Sequence, residues 1–548
     1  MFKWKSKEQL MQLLCELVQI KSVSGSQEEK EFPEAVVKKL SELKYFKDNP
    51  GHLNRTYMND GRSFISALVK KSPDTKKTIV LISHFDVVDV HDYGKWKQYA
   101  FDPEKLTEQF NSIKNELPEA VRLDMESGNW LFGRGTMDMK CGLVLHMSIV
   151  EQATFGEYDG NILLLTVPDE EVNSEGMRAA VPKLVELSEE HHLEYTTILN
   201  SEPMFSNFPG DKNNYFYTGS IGKALPGFLC YGKETHVGEP FGGLNANYMA
   251  SVLTAEMELN TDFCEKVGNE TTPPPTNLIY RDLKKKYSTQ IPHRTVTLFN
   301  LFLFERGMTD VISLLQQKAV KAASEIEQSY MNKAKKYSQQ TGFIPQQLKV
   351  KVMTYEEIHE YALEKYGEDQ VEKLLSNHDS EKDDRERTID FVDQLAALCN
   401  ELAPMIVIFF APPFYPAVSS GKNRLISNLV NELKQYTHET FNREFHIQNY
   451  FSGISDLSYV GLNYENSSIA SLINNMPVWD KGYSLPIADM KKLNVPVLNV
   501  GPVGRDPHKW TERLDVDFAF VTLVDLLQLT IEKLFAAHYE VSEQIVSK

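Results

Sequence analysis

Carboxylates and histidines recur in this chain at one kind of place, just after a short apolar run. His84 and Asp86 follow the run 79–82, Glu170 and Glu171 follow 162–167, Glu202 follows 197–199, and His508 lies just beyond 495–500. Asp138 sits in LFGRGTMDMKCGL, residues 131–143, among Gly133, Gly135 and Gly142. That turn is a poor setting for a core residue and a good one for a metal ligand. Two adjacent carboxylates at a strand end repel each other unless a cation or a proton separates them. Glu170–Glu171 therefore reads as one ligand beside one base. Two histidines and three carboxylates, one of them bridging, make a dinuclear metal site. Nitrogen and oxygen donors without cysteine suit Zn2+, with Mn2+ and Co2+ also compatible. Such a pair acidifies a water and polarises a carbonyl, and a free carboxylate can carry the proton to a leaving nitrogen.

Each piece has an ordinary reading when taken alone. His84-Phe85-Asp86 could be a strand-end histidine and a turn aspartate. On an extended strand, however, residues i and i+2 point the same way, so Asp86 can also bond the His84 nitrogen that faces away from a metal and fix its tautomer. Asp138 could cap a helix, Glu170–Glu171 could be a solvated turn, and Glu202–Pro203 and His508 with Glu512 are weak singly. What distinguishes them is that all fall at the carboxyl ends of predicted strands, the edge where open α/β sheets build their sites. The chain has no GxxxxGK[ST] phosphate loop and no GxSxG nucleophile elbow.

The elements needed to hold these residues alternate. Apolar spacing predicts helices over 7–20 and 31–43, strands over 64–70 and 78–82, a helix over 139–154, a strand over 161–167, a helix over 176–187 and a strand over 195–199. The fold class expected is α/β with a mostly parallel sheet. Near residue 213 the texture changes to glycine-broken strands, and long charged helices follow over 308–339, 355–376 and 390–402, with a charge-rich loop at 377–388. A very apolar strand over 405–410 is expected to end at Pro412–Pro413. After 414 the α/β alternation resumes and closes with a helix over 516–538. The expected organisation is a discontinuous catalytic domain, 1–212 and 414–548. Between its parts stands an inserted α+β domain, 213–413, with a helical extension at 306–403.

Composition narrows the partners. The chain has 548 residues and a net charge of −18, which disfavours nucleic acid and anionic membrane. With 42% hydrophobic residues it has material for a sizeable core and is not a disordered chain. Five cysteines without a CxxC read as reduced and cytoplasmic. No apolar run approaches the ~20 residues of a membrane helix.

Taken in order, HFDVV, GRGTMDMKCG, VPDEE, NSEP, the GKETHVGEPFGGLNA segment and PHKWTER resemble the di-zinc amidohydrolases, the group of aminoacylase, carboxypeptidase G, succinyl-diaminopimelate desuccinylase and acetylornithine deacetylase. The length, the helical insertion and HKWTER look most like the arginine-utilisation branch found in bacilli. The resemblance implies that Asp138 bridges two metals, with His84 and Glu202 completing one and Glu171 and His508 the other. It makes Glu170 the general base and acid, and Asp86 the residue that orients His84. His236 matches the family histidine that reaches across a homodimer, through the inserted domain, to stabilise an oxyanion; the bare residue would read as a surface-turn histidine. A cis peptide after Asp138 is also implied. The implied activity is hydrolysis of an amide bond in a small N-acyl amino acid or short peptide, in arginine or related catabolism. Two other readings stay open: a dipeptidase or aminopeptidase, and a catalytically silent relative that binds a ligand or partner.

The departures concern substrate. Relatives commonly carry an N-x-x-P…F-N-x-R pattern whose Asn and Arg hold a substrate carboxylate. Here Thr289 and Phe302 stand at those two positions. Losing a guanidinium there removes a bidentate clamp, and Arg294 or Arg505 are the residues in reach of sequence reasoning to replace it. Ser455 and Asp456 in GISDLSY fit the family, but Leu457 and Ser458 stand where some relatives have a further arginine.

Overall fold

The computed structural model describes residues 2–208, 210–376 and 382–537. Residues 377–381 of the expected charged loop and residue 538 of the expected last helix lie outside them. The chain divides into two compact units, Met1–Ile221 with Ala417–Leu462 and Pro486–Lys548, and Gly222–Pro416 with Asn463–Leu485.

Among the described residues the main sheet of the first unit has eight strands. Their spatial order is Leu53–Tyr57, Ser63–Val69, Asn161–Val167, Lys77–His84, Glu194–Asn200, Val497–Asn499, Asn214–Tyr217 and Phe445–Gln448. The central four, Asn161–Val167, Lys77–His84, Glu194–Asn200 and Val497–Asn499, run parallel. Every residue of Asn161–Val167 is buried, as a strand covered on both faces requires. Helix Lys140–Thr154 packs against this centre and is buried along nearly its whole length. Helix Lys7–Val18 packs on it in turn, capped by Ser6 and Gln9 and burying Leu10, Leu13, Leu14, Leu17 and Val18. A smaller antiparallel sheet joins Gly504–Arg505, Arg513–Asp515 and Trp130–Phe132. It brings the late PHKWTER loop to the glycine-rich turn that leads to Asp138.

The second unit has, among the described residues, a five-stranded sheet in the order Thr276–Asp282, Arg294–Leu303, Gly222–Tyr231, Met405–Tyr415 and Lys351–Thr354. Helices Ala246–Met257 and Met308–Thr341 pack on each other and on this sheet, and helix Asp384–Leu398 packs on Met405–Tyr415 and Gly222–Tyr231. Met405–Tyr415 is buried throughout. Gly227 faces Phe409 across the ladder, and a Cβ there would lie 2.3 Å from the Phe409 ring. The missing side chain makes room for the aromatic.

Several elements differ from the sequence expectation. The apolar strand does not stop at Pro412–Pro413 but runs on to Tyr415. The register shifts between Ala411 and Tyr415, so the prolines occupy a stretch where no ladder N–H is demanded of them. The expected helix over 355–376 is two helices, Tyr355–Tyr366 and Glu368–Ser376, parted by Gly367 at φ +82°. Residues 214–217, read as the start of the insertion, form a strand of the first unit's sheet beside Phe445–Gln448. Residues 463–485, read with the catalytic domain, belong to the second unit. There Ser468 Oγ accepts the Met308 N–H at 2.6 Å, and Asn475 C=O accepts the Phe410 N–H at 2.8 Å.

Candidate active site

The parallel centre of the first unit releases four chains on one edge. His84 is the last residue of its strand, Glu170 and Glu171 follow the strand ending at Val167, and Glu202 follows the strand ending at Asn200. His508 comes from the loop between Gly504–Arg505 and Arg513–Asp515. Its backbone is left-handed at φ +60°, as is that of Asp506 at +56°. Non-glycine residues hold such a conformation only where their surroundings impose it. Here Asp506 accepts from Thr511 Oγ1 at 2.8 Å and pairs with Arg513, which also binds Asp124 at 2.6 Å. Glu512 then ties the loop to the turn before Asp138, accepting from Arg134 Nη1 at 2.6 Å and from the Gly135 N–H at 2.7 Å.

These elements bring six of the expected residues into one cluster. His84 Nε2 lies 3.4 Å from Asp138 Oδ1 and 3.6 Å from Glu202 Oε1. His508 Nε2 lies 3.3 Å from Asp138 Oδ2 and 3.1 Å from Glu171 Oε2. The donors thus form two groups, His84–Asp138–Glu202 and Asp138–Glu171–His508, each with its ligand atoms within 4.8 Å of one another. Asp138 is common to both and faces the two histidines with different oxygens. Glu170 belongs to neither group, with Oε2 3.8 Å from His84 Nε2. The Asp138–Met139 peptide is cis. His236 belongs to the second unit, on an exposed loop, and is not among the residues gathered in the first.

Electrostatics shows what this cluster lacks. Burial first, and then neighbouring carboxylates, push the carboxyls of Glu170 and Glu202 well above the usual range and raise that of Glu171. Burial works against charge on His508 too, yet hydrogen bonds to Asp138 and Glu171 lift it to about 11. His84 is likewise pushed up by Glu202, Asp138 and Asp86 against the effect of burial. Among the described residues the buried Glu202 Oε1 atom has no hydrogen-bond partner. Protons crowd onto such a set because it is short of positive charge. Divalent cations would supply that charge and displace the protons, so the donor set fits two hard or borderline cations.

Asp86 does more than the sequence suggested. The contact nearest to His84 Nδ1 is the backbone carbonyl of Asp86, at 3.1 Å, with the carboxylate at 3.5 Å. The carboxylate itself accepts from the N–H groups of Glu170 and Glu171, at 3.1 and 3.2 Å, and from Ser24 Oγ at 2.7 Å. It clamps the backbone of the acidic pair. Lys140, buried, donates to the carbonyls of Leu17 and Ile20 at 3.2 and 2.8 Å, which pins the chain leading to Ser24; burial lowers its amine to about 7.

Sequence reasoning missed Arg62 and Asp169. Asp169 immediately precedes Glu170, has φ +69°, and its carbonyl accepts from Val172, Asn173 and Ser174 in a tight loop. Its carboxylate pairs with Arg62 at 2.6 Å and accepts the Glu175 N–H at 3.0 Å. Arg62 also pairs with Asp60 and Glu175 and lies 3.8 Å from the fully buried Glu29. In the sequence Arg62 stands in NDGRS, which reads as an exposed turn. Nothing local to it announces a buried counter-ion.

The chain matches the model of peptidase family M20/M25/M40 over residues 80–466. It is 48% identical to the uncharacterized protein YqjN of Bacillus subtilis (strain 168), over 97% of both chains. To Protein RocB of the same strain it is 30% identical, over 97% of this chain and 96% of that one. Its fold is shared with the M20 family metallo-carboxypeptidase Sso-CP2 of Sulfolobus solfataricus, with a TM-score of 0.53 at 13% identity over 96% and 99% of the two chains. The matched span holds the paired donor groups up to Glu202, and with it the chain belongs to peptidase family M20/M25/M40 and is a metallopeptidase-family enzyme.

Proposed function

We propose that this enzyme hydrolyses an amide bond in a small N-acylated amino acid or short peptide with two divalent metal ions, for which the nitrogen and oxygen donors suit zinc and are also compatible with manganese or cobalt. The observation that supports this most is the sharing of Asp138 between two three-residue donor groups. Asp138 would be shared by the two ions, with His84 and Glu202 available to hold one and Glu171 and His508 the other. When bound, such a pair supplies a Lewis acid for the scissile carbonyl and acidifies water. Glu170 stands outside both groups, so it takes the proton from the attacking water and returns it to the leaving nitrogen. Asp86 holds the Glu170 and Glu171 backbones in place, so the base needs no reordering during the reaction. His236 donates to the oxyanion, reaching it across a homodimer built through the second unit.

The substrate is not gripped by a free α-carboxylate in the usual way. Phe302 and Thr289 cannot form the clamp, and Arg294 is engaged by Asp393 at 2.8 Å. Arg505, half-buried just ahead of His508, donates to the Gly504 carbonyl at 3.0 Å. A place in arginine or related nitrogen catabolism rests on resemblance alone, that of the insertion and the HKWTER loop to the arginine-utilisation branch. The reduced cysteines Cys15, Cys141, Cys230, Cys264 and Cys399 suit the cytoplasm. Among the described residues no helix is long and apolar enough to cross a membrane.

The test is the metal content of purified protein with turnover of N-acyl amino acids, their amides and dipeptides by wild type and Glu170→Ala. About two metals per chain, as a dinuclear site requires, with turnover lost in the variant, is the expected result. Absence of bound metal and of turnover would overturn the reading. A clear preference for free carboxylates over amides would sink the substrate part alone.

A further inference from the structure

The helical extension of the second unit does not stand apart from the His236 loop. Residues Thr235 to Val237 run beside Thr289 to Ile291, with the Val237 N–H bonded to the Thr289 carbonyl at 2.8 Å and the Ile291 N–H to the Thr235 carbonyl at 3.0 Å. That ladder fixes the approach to His236. Beyond it the chain reads Gly238, Glu239, Pro240, Phe241, Gly242, Gly243. Three glycines make it intrinsically loose. Turn bonds hold it in part, from the Glu239 N–H to the His236 carbonyl at 2.9 Å and from the Gly242 N–H to the Glu239 carbonyl at 2.8 Å; its side-chain anchor is Phe241, and the anchor point is the distal half of helix Met308–Thr341.

Tyr330 and Tyr337 are seven residues apart on that helix, two turns, and so share a face. Gly342, at φ +74°, ends the helix and turns the chain so that Phe343 folds back. The Phe241 ring lies 5.7 Å from Tyr330, 5.2 Å from Tyr337 and 5.8 Å from Phe343. The Tyr330 hydroxyl donates to the Phe241 carbonyl at 2.6 Å. Within the loop the Gly238 N–H donates to His236 Nδ1 at 3.1 Å. An Nδ1 that accepts leaves the proton of a neutral imidazole on Nε2, the tautomer an oxyanion donor needs. That bond exists only while the loop after His236 keeps its path.

We propose that the distal half of helix Met308–Thr341, with Phe343, is a positioning clamp for His236, acting through Phe241. This rests on the reading of His236 as an oxyanion donor. It assigns the helical extension a task in the reaction rather than in binding a separate partner. Tyr330, Tyr337 and Phe343 are positioning residues, since they touch neither substrate nor reacting atoms.

The experiment is a double-variant cycle on the full-length, metal-loaded enzyme with Phe241→Ala, His236→Ala and the pair. A second arm follows the His236 imidazole by NMR. Loss of one oxyanion donor is expected to cost about 100-fold or more in kcat for His236→Ala, and Phe241→Ala about 10-fold, with KM little changed and metal content kept. The pair should turn over no more slowly than His236→Ala alone, because the clamp has nothing left to position. Phe241→Leu, which keeps apolar bulk, and Phe241→Tyr, which keeps the ring, guard against a misfolded variant; the Tyr form is expected to recover most of the rate. In the NMR arm wild type should show a single Nε2–H tautomer, and Phe241→Ala should lose it. If His236→Ala is impaired but Phe241→Ala matches wild type in rate and tautomer, the clamp is overturned and the His236 role survives. If the two losses multiply, Phe241 acts elsewhere and the clamp is overturned as well. If His236→Ala turns over at the wild-type rate, the oxyanion reading fails first.

Discussion

At the scale of single residues, the site is defined by which carboxylate is left out of the donor groups. Glu170 is held by its backbone to Asp86 and stands in neither donor group. Glu170→Gln keeps the shape and removes the carboxylate proposed as the base, so kcat should fall about 10²- to 10⁴-fold while metal content, read by elemental analysis, stays the same. Arg62 acts one step further back. It faces Asp169, Glu175, Asp60 and Glu29. Taking one partner from a buried ion network leaves uncompensated charge, so Arg62→Met should cost about 3–5 kcal/mol in denaturant unfolding. Arg62→Lys should recover part of that loss, since it restores the charge but not the planar fork.

Elements place these residues by close approach. Helix Lys140–Thr154 meets the loop before Glu202 at Gly142, where a Cβ would lie 2.6 Å from the Ser201 carbonyl oxygen. Ser201 also meets His146 Nε2 at 3.0 Å on the same helix. The helix and the Glu202 loop are therefore keyed together by the close backbone approach at Gly142 and by the His146–Ser201 contact. Gly142→Ala should destabilise the fold by about 1–3 kcal/mol through overpacking, measured by thermal or denaturant unfolding. If the variant matches wild-type stability, the keying is not tight. This contact explains why the glycine-rich turn reads so strongly in the sequence: a position of close approach can hold only glycine, and the pattern survives as text.

For the molecule as a whole, two buried groups outside the donor set give stability a pH dependence of definite sign. Burial first and Asp86 second push Glu29 up to about 8. The unfolded chain ionises near the ordinary carboxylate value while the folded chain keeps its proton, so this stability is lost as pH rises through about 8. Burial pushes His146 down to about 3. The unfolded imidazole charges near its ordinary value while the folded one stays neutral, so this stability is lost as pH falls toward about 3. Glu29→Gln should therefore flatten the alkaline limb of unfolding free energy against pH, and His146→Gln the acid limb. Unchanged limbs would show that neither group titrates this way. Removing metal should lower the melting temperature, because ions that bind only the folded donor groups stabilise it by mass action; a chelator titration followed by calorimetry reads this directly.

Much of the candidate site's clustering was legible from the chain alone. Parallel strands are short apolar runs, and the residues after them are the edge, so His84, Asp86, Glu170, Glu171 and Glu202 could be placed by one-dimensional pattern. Asp138 could be placed by its glycines. The α/β class followed from the alternation of the same runs with helical spacing. What tertiary structure alone decided depends on contacts between residues distant in sequence. Arg62 reads as a turn because its carboxylate partners, apart from Asp60, lie far along the chain. Residues 463–485 join the second unit through Ser468 and Asn475, whose partners are far away in sequence. The strand through Pro412–Pro413 continues only because its neighbour's register shifts there. Apolar periodicity and glycine record local geometry; charge compensation and long-range register leave no local trace, because their partners are chosen by the fold.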